Sequence, residues 1–381
     1  MNPSIINRVE TDTTLSFTLE NADVSIANAL RRVILSEIDT VVFKTTPHSQ
    51  NKTNIIVNTS RMNNEILKQR LSCIPIHIKD TNIETLKNYI VELNVVNDTD
   101  KIINVSTKDF KIKNILTNEY LSQEKTKEIF KPYIPFNSTN EYYIIILYLR
   151  PKLNDEIMGE KINLTCEFSV SNSKNDGMFN VVSTCSFGNT PDFDLMNIEL
   201  EKKIQIMKNE KSMNAEEIQT ESNNWKLLDG LRHFKKNSFD FIVETIGVFD
   251  NEEILLKACQ IILNKIKTIE NTINDNLLKI EIPDNTMESS FDIILENEDY
   301  TIGNLLKFIL YQKFYQEKQL LSFCGFKKFH PHDKYSIIRL AYNEPTDKNI
   351  VISNLQTANG IITSIFTNIF TMLNSSSSYK K

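Results

Sequence analysis

The chain has 381 residues, with 43 Lys+Arg against 49 Asp+Glu for a formal net charge of −6, and 40% of it is hydrophobic. This is enough chain for two or three domains, and it excludes a collagen, a mucin-like stalk and a small disulfide-stapled domain. No run approaches the ~18 apolar residues of a membrane span. The start MNPSIINRVETDTT lacks the apolar core of a signal peptide, so an intracellular protein is expected, and the acidic balance does not suit a free-standing nucleic-acid binder.

The first predicted element is a strand, from the alternation of Leu15, Phe17 and Leu19. Asp23 or Ser25 can accept from free amides at the start of a helix over 25–37, whose apolar stripe is Ile26, Leu30, Val33 and Ile34. Short strands follow around VVF and NIIVN, then a helix, MNNEILKQRL, and a turn at Pro75. Alternating runs such as YIVELNVV, YYIIILYLR and KINLTCEFSV predict a mainly-β domain over 76–200, inserted into the first module. Residues 201–229 form a charged connector, and within it 201–224 is either a surface helix or a mobile segment.

After the strand FDFIVETIGVF, Asp250 and Glu253 have capping-box spacing for a helix over 251–269. Its stripe is Ile254, Ala258, Ile261, Ile262 and Ile269, with Lys265 as a polar exception. Residues 271–289 are predicted to be a linker. Phe291, Ile293 and Leu295 then alternate as a strand, and Asp299 or Thr301 can cap a helix over 301–313. That helix carries Ile302, Leu305, Leu306, Ile309 and Leu310, with Gly303 permitting close approach of another backbone. A last helix over 359–373 presents Ile361, Ile365, Ile369 and Leu373, broadened by Ile362, Phe366 and Phe370, and SSSSYKK is expected to fray.

The two ends repeat one another. LENADVSIANALRRVI at 19–34 aligns without a gap on LENEDYTIGNLLKFIL at 295–310, matching Leu19, Glu20, Asn21, Asp23, Ile26, Asn28 and Leu30 with Leu295, Glu296, Asn297, Asp299, Ile302, Asn304 and Leu306. Asn28 and Asn304 are expected to organise the two helix starts. The reading is an α+β chain of two related modules, 1–75 with 230–270 and 290–381. The wide stripes either complete each module's own core or, as the repeat favours, pack into one shared core.

No phosphate loop, dinucleotide fingerprint, nucleophile elbow or HExxH is present. Cys73, Cys166, Cys185, Cys259 and Cys324 are scattered without a C-x2-C pair and read as small buried thiols. His330 and His332 flank Pro331 in a turn that needs no metal, and Asp98 and Asp100 read as solvated.

FTLENADVSIANALRRVILSEIDT followed by IIVNTSRMNNEILKQRLSCIPI closely resembles the larger α-like subunit of DNA-directed RNA polymerases: the third subunit of polymerase II, archaeal D and, more distantly, bacterial α. GEKINLTCEFSV and FDFIVETIGVFDNEEILLKACQIILNKI resemble later blocks of that subunit. FDIILENEDYTIGNLLKFIL and FCGFKKFHPHDKYSIIRL resemble the smaller α-like partner, the eleventh subunit or archaeal L. Together these resemblances imply a fused pair, with two α-like dimerisation modules meeting within one chain. The pairing surface is expected to include Ile26, Leu30, Val33, Ile34, Ile254, Ile261, Ile262, Ile302, Leu306, Ile309, Ile365 and Ile369.

The function implied is a non-catalytic assembly platform for the second-largest and largest polymerase subunits, with the small assembly subunits as further partners. Asn28, Arg31 and Arg32 are expected at the large-subunit interface. No cofactor is expected in this chain, magnesium belonging to the catalytic subunit; no homodimer, little direct DNA contact and no membrane are expected. The cysteines of the zinc loop or iron–sulfur cluster of some relatives are missing, and DGMFNVVSTCSFGNTPD replaces the family's His-Ala-Lys-Trp block. The fused pair is similar to polymerase subunits of large DNA viruses, which implies host cytoplasm and virion if the chain is viral, and a place with the transcription machinery otherwise. The alternative is a free-standing adaptor or regulator that reuses the α-like fold.

Overall fold

A computed structural model describes residues 2–152, 158–209, 214–283 and 287–377. Contacts divide the chain into one unit of Met1–Val33, Thr184–Glu244 and Leu255–Lys381 and another of Ile34–Ser183 and Thr245–Ile254.

The first unit is built, in chain order, from β1 (Ser4–Glu10), β2 (Thr14–Glu20), α1 (Val24–Ser36), β3 (Val182–Pro191), α2 (Phe193–Asn209), α3 (Ala215–Leu227), β4 (Phe234–Thr245) and α4 (Asn251–Asn274). It continues with β5 (Ile280–Glu281), β6 (Ser290–Glu296), α5 (Tyr300–Leu310), β7 (Leu321–Lys327), β8 (Tyr335–Tyr342) and α6 (Lys348–Ser377). The strands form two four-stranded sheets, ordered β1-β2-β4-β3 and β5-β6-β8-β7. β2 runs antiparallel to β4 with Phe17 opposite Phe241, whose rings stack at 5.0 Å. β6 runs antiparallel to β8 with Asp292 opposite Arg339. Each half therefore repeats a strand leading into a helix (β2–α1, β6–α5) and a second strand leading into a second helix (β4–α4, β8–α6).

The matched residues of the repeat have matched conformations. Asn21 and Asn297 are left-handed, at φ 55° and 58°, a region that asparagine tolerates and a β-branched residue does not. The turn so made lets Asp23 Oδ1 accept from the Ser25 amide at 2.8 Å and Asp299 Oδ1 accept from the Thr301 amide at 2.9 Å. Of the alternative caps, the aspartates serve in both copies. Ile26, Leu30, Val33 and Ile34 on α1 and Ile302, Leu306, Ile309 and Leu310 on α5 are all buried, at 2% exposure or less.

Gly303 has a different reason from the one expected. A Cβ there would lie 1.9 Å from the Phe326 ring of β7, so it is a side chain, not a backbone, that the glycine admits. α5 ends at Leu310 and its path widens into a π-helical stretch over Tyr311–Glu317. α4 reaches Asn274, and β5 pairs with β6, so the expected 271–289 linker is partly helix and partly strand; its residues 284–286 lie outside the described ones. α6 starts eleven residues before the expected 359. It turns Ala358, Ile362, Ile365, Phe366, Ile369 and Leu373 inward, while Ile361 and Phe370 are half-buried. On α4, Ile262, Ile266 and Ile269 take the buried line and Ile261 falls to its flank.

The connector is helical where described. α3 begins with a reciprocal capping box between Asn214 and Glu217, and Met196, Leu200 and Trp225 form a small core between α2 and α3. Residues 210–213 and 378–381, part of the tail expected to fray, lie outside the described residues.

In the second unit, Thr53–Asn58, Lys161–Glu167, Tyr89–Val96 and Lys111–Asn114 form one sheet in that spatial order. Ile103–Ser106 pairs with Ile145–Leu149, and Thr40–Val42 with Ser169–Ser171. Phe43, Phe110, Phe130 and Phe168 anchor its core. The β domain thus takes in residues from Ile34 onward and not from 76, because the ladder from Thr53 to Asn58 is made with Lys161–Glu167. The capping box expected at Asp250 and Glu253 does not form, since both carboxylates converge on the Lys79 ammonium, at 2.9 and 2.7 Å.

Gly303→Ala should destabilise the protein by about 1–3 kcal/mol through overpacking against Phe326. Gly360→Ala, on the open side of α6 with nothing within 4 Å of the new Cβ, should leave stability unchanged or raise it by up to ~1 kcal/mol. Thermal melting of the two variants checks the contrast.

Candidate assembly site

The sequence region singled out for assembly, ANALRR on α1, brings two arginines into different company. Arg31 donates from Nε and a terminal nitrogen to Asn28 Oδ1, at 3.1 and 2.9 Å, one helical turn back. Asn28 therefore orients a guanidinium; it is not the group that caps the helix start. Arg32 donates from Nε to Thr301 Oγ1 at 2.9 Å and from a terminal nitrogen to Asp299 Oδ2 at 3.1 Å. Its partners are 267 and 269 residues away, at the N-terminus of α5.

A second cation reaches the same turn. Lys265, the polar exception in the α4 stripe, pairs with Glu298 at 3.2 Å, with side chains only 17% and 14% exposed. The first turn of α5 is thus gripped by Arg32 from α1 and Lys265 from α4. Asp299 divides its carboxylate, Oδ1 capping the helix and Oδ2 receiving Arg32. A negative group at a helix N-terminus is already favoured by the helix dipole, and two cations add to that.

The grip is one-sided. In the second copy Lys307 stands at the position of Arg31, 5.7 Å from the Tyr311 ring, and Phe308 stands at the position of Arg32. Reciprocal contacts of identical copies would need a guanidinium in both. Reading the sequence alone missed Glu298 as an acceptor and Lys265 as its partner. The available signal was a lysine where the period of α4 calls for an apolar residue.

Of the residues expected at the pairing surface, Ile26, Leu30, Val33, Ile34, Ile254, Ile262, Ile302, Leu306, Ile309, Ile365 and Ile369 are buried, and Ile261 is half-buried.

Burial pushes the thiols of Cys166, Cys185, Cys259 and Cys324 up to about 12, with Arg31 pulling slightly the other way at Cys185. Cys73 is exposed. Among the described residues no three His, Cys, Asp or Glu side chains are grouped to hold a metal ion, and no helix is long and apolar enough to cross a membrane.

The family model of the RNA polymerase Rpb3/Rpb11 dimerisation domain matches residues 16–266. The chain belongs to this family. The matched stretch contains Arg32 and Lys265, whereas Glu298, Asp299 and Thr301 lie beyond it. A conjugation stage-specific protein of Tetrahymena thermophila is 25% identical over 303 residues, covering 68% of this chain and 91% of that protein. Subunit 3B of DNA-directed RNA polymerases IV and V of Arabidopsis thaliana is 40% identical over 74 residues, 19% of this chain and 21% of the relative.

A double-mutant cycle of Arg32→Met and Asp299→Asn should give a coupling of about 0.2–1 kcal/mol, held to the modest range by the 35% and 22% exposure of the two side chains. Asparagine retains the cap, so the cycle isolates the ion pair. Titration with a thiol reagent at pH 8 should modify Cys73 alone in the native protein and all five cysteines after unfolding. The raised thiols also fix a sign. Above about pH 9 the unfolded thiols ionise and the native ones do not, so stability should fall as pH rises from about 9 towards 12.

Proposed function

We propose that this chain is a non-catalytic assembly-platform subunit of a multisubunit DNA-directed RNA polymerase. In this reading it is two α-like dimerisation modules joined and paired within one polypeptide. The observation that carries it is the grip of Arg32 and Lys265, inside the family-matched half, on Glu298, Asp299 and Thr301 of the repeated half. A contact that separate subunits would make on meeting is made here within one chain, which fixes one-to-one stoichiometry and removes the association step.

The partners in this reading are the second-largest and largest polymerase subunits, with small assembly subunits beside them. The chain supplies a folded surface, and magnesium-dependent nucleotidyl transfer belongs to the catalytic subunits. Arg31, bound only one turn back along its own helix, is the group proposed to face the large subunit, since a guanidinium fork suits a protein interface. Arg32 contributes at one remove, by holding the two modules in register.

Tagged chain expressed in its source cells should co-purify with the two large subunits and run far above the mass of a single chain. Arg31→Ala should cut their recovery about thirtyfold without lowering the melting temperature, the size of one interface hot spot. Arg32→Ala should lower both. Recovery of the chain alone, at its own mass, would instead make it a free-standing α-like adaptor. The purified chain should not polymerise nucleotides on DNA.

A further inference from the structure

Among the described residues the sheet β5-β6-β8-β7 ends on β7, which pairs with β8 on one side only. The face of β7 turned to α5 is known from two contacts: Cys324 Sγ lies 3.6 Å from the Lys307 carbonyl, and the Phe326 ring covers Gly303. Alternation along the strand therefore puts Phe323, Gly325 and Lys327 on the other face. There they line a groove of about 420 Å³ with Phe329, Ile337 and Arg339. Gly325 admits the Phe323 ring, because a Cβ at that position would come within 2.7 Å of it. Phe329, at the groove end, is 57% exposed.

Of the lysines at this end of the strand, Lys327 lines the groove, with its ammonium 4.1 Å from the centre of the Phe329 ring. The chain carries −6, yet the strand end and the turn after it hold Lys327, Lys328 and Lys334 against one carboxylate, Asp333. Asp333 is turned inward to accept from the His330 amide. Arg339 is neutralised by a two-pronged pair with Asp292 at 2.6 Å, so it forms a neutral floor. Lysines on an edge strand also protect it from self-association, which would explain one of them on the strand but not an apolar groove beside it.

We infer that this edge and groove dock an extended acidic segment of a partner protein, which adds a strand to β7, places a large apolar side chain against Phe323 and Phe329, and sets its carboxylates on Lys327, Lys328 and Lys334. The edge supplies backbone hydrogen bonds, the groove supplies selection for the apolar residue, and the lysines select the charge. The inference does not rest on the polymerase reading, since any partner with such a segment would serve.

The test uses the full chain and a short fluorescein-labelled peptide that alternates Glu and Val around one central Phe, read by fluorescence anisotropy. The peptide should bind saturably. Methylating the amides that face β7, replacing its Glu by Lys, or introducing Lys327→Glu with Lys328→Glu and Lys334→Glu should each weaken binding about tenfold or more. Phe323→Ser should do the same, and unchanged melting of the lysine variant keeps loss of binding separate from loss of fold. Absence of binding, or equal binding of the N-methylated peptide, would overturn the inference. So would preferential binding of an oligothymidylate at the same lysines, or self-association of the chain that Phe323→Ser abolishes.

Discussion

One carboxylate, that of Asp299, does two things whose requirements coincide. It caps α5 with one oxygen and receives Arg32 of α1 with the other. The cap fixes where α5 begins, and the guanidinium can reach it only if α1 and α5 lie in one register. Lys265 on α4 repeats the constraint through Glu298 one residue earlier. Magnitudes separate the roles of these contacts. A fully buried leucine or isoleucine contributes roughly 1.5–3 kcal/mol, and the two repeat helices alone bury nine large apolar side chains. A partly exposed ion pair contributes about 1 kcal/mol or less. Apolar burial thus supplies most of the stabilisation, and the polar grip specifies the register, a use of half-buried charge with clear precedent in coiled coils.

The repeat has diverged where divergence matters for this grip. Asn21 and Asn297, which make the turn, and Asp23 and Asp299, which cap the helix, are the same in both copies, whereas Ala22 stands opposite Glu298, the acceptor of Lys265. Positions further along the two helices differ: Arg32 against Phe308, Arg31 against Lys307, Ala27 against Gly303. Ala27 is fully buried without difficulty, whereas Gly303 must leave room for Phe326. The two halves keep one backbone design around different side chains.

Features set by neighbours in sequence were legible in the sequence. The apolar stripes of α1 and α5, the aspartate caps and the strands leading into them depend on spacings of two, three and four residues, and those are visible in a string of letters. Features set by distant partners were not. The capping box at Asp250 and Glu253 has the right spacing, but Lys79, 171 residues from Asp250, takes both carboxylates. The β domain begins earlier than its texture suggests because the ladder of Thr53–Asn58 lies with a strand more than a hundred residues on. The first turns of α6, NIVISNLQTANG, are rich in Asn and β-branched residues, and burial of Val351, Leu355 and Ala358 overrides that propensity. At the candidate site the arginines stood out at once. Their partners did not, because nothing local marks Glu298 and Asp299 as the acceptors for α1 and α4.

Association of the halves before and after residue 283 through contacts, and not merely through their covalent connection, is what the grip of Arg32 and Lys265 implies. Its most direct test is to place a specific protease site between Ile282 and Met287, cleave the folded protein and weigh the product by native mass spectrometry in mild buffer. The β5–β6 ladder spans only two residues and is too short to hold the pieces together by itself. A one-to-one complex of the two fragments is expected, coming apart only in denaturant, and earlier when Arg32 is replaced. Fragments that separate on cleavage in the absence of denaturant would contradict it.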